Sequence, residues 1–192
     1  MANAKLNGAD YLLLLLYLSN KSPIKGAVRL TKMMFLFEKE IASILKLKGL
    51  DSDKLPEFVA YNFGPFSKDI YEQIELFRGL KFIKASNIYA REEMSEVDDW
   101  EEDAFDEEIF ESEEDVLLED GKYMKYEVAD LGSRFVEEQI LPSTTDEQLS
   151  ILEQFKNKIN SLSPKRILKY VYTKYPDYAK NSLIREEVLG NE

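Results

Sequence analysis

The chain has 192 residues, 44% of them apolar and 12% aromatic, enough for one domain with a full core. It contains no cysteine and no histidine, which excludes disulfides, thiolate nucleophiles, thiolate-bound zinc and every catalytic scheme built on imidazole. The formal charge of -12 has a local origin: between Glu92 and Asp120, 17 of 29 residues are Asp or Glu and none is Lys or Arg, while the other 163 residues hold 20 acids against 25 bases. A mildly basic body carries an acidic arm.

The run Tyr11 to Leu18 is apolar nearly all round, which predicts a buried helix over about 9–19. At eight residues it is far short of the roughly 20 that a membrane helix needs, and no strongly basic leader precedes it, so the chain reads as a cytoplasmic protein without signal peptide or membrane span. Asn20, Lys21, Ser22 and Pro23 predict a turn. A second helix follows over about 25–47, with Val28, Phe35, Ile41 and Leu45 near helical spacing and with Arg29, Lys32, Lys39, Lys46 and Lys48 on an exposed basic side; Gly49 ends it. The aromatic segment Phe58 to Phe63 reads as one strand or extended linker closed by Gly64-Pro65.

Ser67 can cap a third helix, whose Ile70, Ile74 and Phe77 share one buried face and which Gly79 stops. Leu80 to Tyr89 is extended, the arm interrupts, Tyr123 to Val128 resumes a strand pattern, and Leu131-Gly132 leads into a helix to about Ile140. That order is the layout of a winged helix-turn-helix in which the two strands pair as the wing and the arm occupies its tip, where insertions are tolerated. Thr144 or Thr145 starts a helix to about Leu162, Ser163-Pro164 starts the next, Pro176 ends or interrupts it, and a short helix around 179–189 stops at Gly190. The expected fold is therefore mainly α (α+β): a winged-helix-like domain over 1–141 with an insertion at about 92–120, and a C-terminal helical extension over 142–192.

Arg29-Leu30-Thr31-Lys32-Met33-Met34-Phe35-Leu36, followed by Phe58-Val59-Ala60-Tyr61-Asn62-Phe63-Gly64-Pro65-Phe66-Ser67-Lys68-Asp69-Ile70-Tyr71, resembles the Panacea or SocA-like antitoxin family and the related uncharacterised YwgA-like proteins. The closing segment Leu168 to Ser182 is similar to that group as well, whereas the acidic arm lies outside the family pattern. The resemblance implies a non-enzymatic binding module, an antitoxin or adaptor whose partner is a protein such as a toxin or a component of proteolysis or replication. It marks Tyr61, Gly64, Pro65 and Ser67 as the family-motif turn.

Other candidate residues come from charge. The arm combines Asp98, Asp99, Glu101 and Glu102 with Trp100, Phe105 and Phe110, which suits docking on a basic, apolar groove or capture of a basic partner; the plain alternative is a solvating loop. It has oxygen ligands for a divalent ion but not the spacing of a calcium loop. Lys25, Arg29 and Lys32 in one basic stretch, and Lys165, Arg166, Lys169, Tyr172 and Lys174 in another running from Lys156 to Lys180, suit contact with nucleic acid or an acidic partner. The helix from Ser67 to Arg78, in the reading position of a winged helix, carries a net charge of -1 and is a poor match for phosphates. No Gly-rich phosphate loop or nucleophile elbow is present, so neither catalytic residues nor a cofactor are expected. A DNA-binding regulator whose arm masks a basic surface remains the alternative to the antitoxin-like module.

Overall fold

The computed structural model describes residues 6–46, 55–89 and 122–190. These form a mainly helical body with a small antiparallel sheet. Helix α1 (Gly8–Lys21) begins with a reciprocal cap: the Asn7 side chain accepts from the amides of Ala9 and Asp10, and Asp10 accepts from the Asn7 amide at 2.8 Å. Leu12, Leu13, Leu14, Leu15 and Leu16 are all fully buried, so this helix is the axis of the core. Each such side chain contributes about 1.5–3 kcal/mol relative to exposure. The backbone leaves helical geometry at Leu18, and Ser19, Asn20 and Lys21 are left-handed, with φ of 55°, 54° and 59°.

Strand β1 (Ile24–Lys25) leads into α2 (Ala27–Leu36), which passes through a π-turn (Phe37–Ile41) into α3 (Ala42–Lys46). The single helix expected over about 25–47 is thus broken once, and its predicted end at Gly49 lies outside the described residues. The segment expected as one strand closed by Gly64-Pro65 is instead a hairpin: β2 (Val59–Tyr61) turns at Asn62-Phe63 and pairs with β3 (Gly64–Phe66), Ala60 opposite Pro65. Proline is tolerated there because the hairpin has only two strands.

Helix α4 (Lys68–Gly79) buries Ile70, Ile74 and Phe77 as expected. Strands β4 (Ile83–Tyr89) and β5 (Lys122–Val128) then pair antiparallel from Ile83 opposite Val128 to Tyr89 opposite Lys122, and β1 adds to the far edge of β5 to give the order β1-β5-β4. Helix α5 (Asp130–Phe135) starts three residues earlier than the sequence suggests and runs into a second π-turn (Val136–Ile140). Gly132 sits so close to the residue before β4 that a Cβ there would overlap the Phe82 carbonyl.

Helix α6 (Asp146–Asn160) carries a capping box between Thr145 and Gln148. Helix α7 (Pro164–Lys174) is capped by Ser163 with proline at its first position, followed by two short helices, α8 (Pro176–Ala179) and α9 (Arg185–Leu189). Helix α6 packs on α1 and α7 packs on α2, so the C-terminal helices share one hydrophobic core with the rest. Among the described residues no helix is long and apolar enough to cross a membrane.

Candidate functional site

The motif residues converge on the face of α2 that meets the β2-β3 hairpin. Lys32, expected on an exposed basic side, is only 3% exposed: its Nζ donates to the Pro65 carbonyl at 2.9 Å. Among the described residues no carboxylate pairs with it, and burial pushes its ammonium down to about 7. Gly64 has φ of +86°, and a Cβ added there would stand 2.6 Å from Tyr172 Cε1. Only glycine meets both conditions, an unfavourable backbone region and a ring in van der Waals contact.

Tyr172 was expected on a nucleic-acid surface, yet it is 1% exposed; its ring packs on Gly64 and its hydroxyl bonds Ser182 Oγ at 2.8 Å. Burial raises that hydroxyl to about 12. Ser67 occupies the N-cap of α4 without a side-chain cap bond, and its buried Oγ has no hydrogen-bond partner. The expected cap is therefore made by position and not by the hydroxyl.

One edge of the hairpin is sewn to the C-terminal segment. The Leu183 amide donates to Asn62 O at 2.8 Å and Asn181 Nδ2 donates to Ala60 O at 3.2 Å. Tyr61, Phe66 and Tyr71 form a ladder of rings with centroid spacings of 5.1 and 5.2 Å, and the Tyr71 hydroxyl meets Thr31 Oγ1 at 3.2 Å. The ladder runs from buried α2 to the surface, where Val59, Tyr61 and Leu183 are exposed by 51%, 42% and 74%.

A second cluster lies where the first π-turn meets α7. Glu40 Oε1 accepts from Tyr170 Oη at 2.8 Å, Lys174 Nζ at 2.9 Å and Tyr175 Oη at 3.0 Å. Lys174 Nζ also donates to Tyr170 Oη at 2.7 Å and sits over the rings of both tyrosines. Burial opposes ionisation of Glu40, but the donors from Lys174, Tyr170 and Tyr175 hold its carboxyl below the ordinary value. The Lys174 ammonium is held above its own by Tyr170 and Glu40. Burial and then Glu40 push Tyr175 up to about 12.

The other basic candidates are dispersed in role. Lys25 is half-buried on β1, and Arg29 is a brace that donates to Lys25 O at 2.9 Å and to Leu162 O at 2.8 Å. Lys165, Arg166 and Lys169 stand exposed on α7. Lys156, counted with the second basic stretch, is fully buried: its Nζ donates to the carbonyls of Leu16, Leu18 and Ser22 at 3.3, 2.8 and 2.7 Å. Asp98, Asp99, Trp100, Glu101, Glu102, Phe105 and Phe110 lie outside the described residues.

Glu40 escaped the sequence reading. Tyr170 and Lys174 are four apart on one helix, a readable pair, but Glu40 is 130 residues distant from Tyr170 and no local pattern joins them. No protein-family profile, curated protein or solved structure matches the chain.

Proposed function

We propose that the chain acts by binding a protein partner, as an antitoxin-like or regulatory adaptor of the Panacea or SocA-like type, without chemistry of its own. The observation that carries the reading is the exposed apolar edge made by Val59, Tyr61 and Leu183 on a hairpin whose backbone is held rigidly from behind by Lys32, Gly64 and Tyr172. A rigid aromatic anchor with apolar neighbours is what a protein interface uses at its centre.

Helix α4 supports the same reading. The order α1, β1, α2, α4, β4 and β5, with α3 and the β2-β3 hairpin inserted before α4 and with β1 paired to β5, favours a winged helix whose reading helix is α4. Its bases are tied to its own acids, Lys68 to Glu72 at 2.7 Å and Arg78 to Glu75 at 2.6 Å, and Leu76 on the helix and Leu80 just after it are exposed. Such a surface suits a protein better than a phosphate backbone. Affinity purification from the native cell is expected to yield a stoichiometric protein partner that is lost from a Tyr61→Asp, Leu183→Asp double variant with unchanged melting temperature. Absence of any stoichiometric partner, or its retention by the double variant, refutes the reading.

Duplex DNA is the second reading. It draws on Arg166 and Lys169, two bases that stand exposed on α7.

A further inference from the structure

The donors around Glu40 have the form of an anion receptor already filled. Two phenol hydroxyls and one ammonium converge on a single carboxylate oxygen within 3.0 Å, a stronger arrangement than one surface ion pair requires. The receptor groups belong to one continuous segment, Tyr170 to Tyr175, and their positions are prepared. Pro176 follows Tyr175 and restricts the chain there, and the Tyr175 ring stands edge-on to Phe35 at 5.1 Å. The carboxylate comes from elsewhere, on a π-turn, a widened helical geometry that concentrates at functional positions. Tyr170 and Lys174 are both exposed, so an external group can reach them.

We propose that Tyr170, Lys174 and Tyr175 are a receptor for one carboxylate of an acidic segment on the protein partner, and that Glu40 is an internal ligand that closes it in the free chain. Removing Glu40 then opens the site, and an incoming carboxylate takes over the same three hydrogen bonds. The identity of the ligand as a partner side chain rests on the partner-binding reading; the existence of the receptor does not.

The test is therefore done without a partner, on the full chain. Acetate is titrated into wild type, Glu40→Ala and Glu40→Ala with Lys174→Met, and the ring resonances of Tyr170 and Tyr175 are followed by NMR. Three charge-assisted bonds made available by the deletion are expected to give Glu40→Ala at least about tenfold tighter acetate binding than wild type, a gain the added Lys174→Met abolishes. Glu40→Ser is the second opening variant, should Glu40→Ala lose helical content. Equal acetate affinity in the opened variants and wild type overturns the receptor. Inorganic phosphate is the control ion: binding about tenfold tighter than acetate overturns the assignment to a carboxylate. Loss of the stoichiometric partner test leaves these titrations unaffected, so the two readings fail separately.

Discussion

Lys32 places an amine where water does not reach and gives it one carbonyl as company. Its folded pKa of about 7 lies below the ordinary 10.5, so between these values the unfolded chain binds more protons than the folded one. Stability must then rise with pH across that window, by up to about 1.4 kcal/mol per unit. Lys156, lowered to about 8 by burial, adds to the rise above that pH, whereas Tyr172, raised to about 12, works in the opposite sense above about pH 10. Resistance to urea is expected to rise from about pH 7 to 9.5 in wild type, with Lys32→Met removing most of the slope below pH 8. An unchanged slope in the variant would mean that the Lys32 amine titrates as it does in water. The burial of this residue was not legible in the sequence. A lysine among Arg29, Lys39 and Lys46 reads as part of a solvated face, but α2 is enclosed by β1, β3, β5, α6 and α7, and a surrounded helix has no solvated face to assign.

At the scale of elements, the end of α1 shows how the C-terminal helices take part in the fold. Three consecutive left-handed residues without glycine are unfavourable, and each costs roughly 1 kcal/mol or more. Helix α6 compensates: Lys156 supplies donors to three carbonyls, and Glu153 Oε1 accepts from the Ser19 amide at 3.0 Å. Lys156→Met removes the ammonium donor from those carbonyls and is expected to cost about 2–4 kcal/mol, with faster hydrogen exchange of the Ser22 amide that closes the turn. Retention of wild-type stability and exchange would show that solvent substitutes for the ammonium. Elements with local grammar were readable: Thr145, Ser163-Pro164 and the Ile70, Ile74, Phe77 spacing each mark what is found. Two kinds of local irregularity were not. The π-turns shift the apolar period by one residue without a sequence mark, and Gly64-Pro65, read as punctuation, opens a strand because its partner lies three to seven residues away.

The whole molecule separates a body of near-balanced charge from an acidic segment that dominates the net value of -12. Deleting 92–120 brings the charge to about +5 and shortens the connection between Tyr89 and Lys122 from 32 residues to three, which lowers its closure cost by about 2 kcal/mol. The shortened chain is expected to keep its helical content by circular dichroism. If the DNA reading holds, it also gains duplex affinity that falls steeply with salt, measured by fluorescence anisotropy. No binding at low salt leaves the protein-partner reading alone. The pairing of β4 with β5 was legible because each has its own aromatic, alternating signal on either side of the charge run. The site was legible only in part. The motif named Tyr61, Gly64, Pro65 and Ser67 together, while Lys32 was placed with the surface bases and the exposed Leu183 joins the hairpin through a backbone bond that no side-chain pattern announces.

Tyr89 and Lys122 are cross-strand partners, so the chain leaves and re-enters the sheet at neighbouring points. Antiparallel partners stand only about 5 Å apart. The open end of the β4-β5 pair is therefore a port: a foreign loop, an epitope or a small reporter domain with closely spaced termini can be spliced between these two residues without altering the register of β4 and β5.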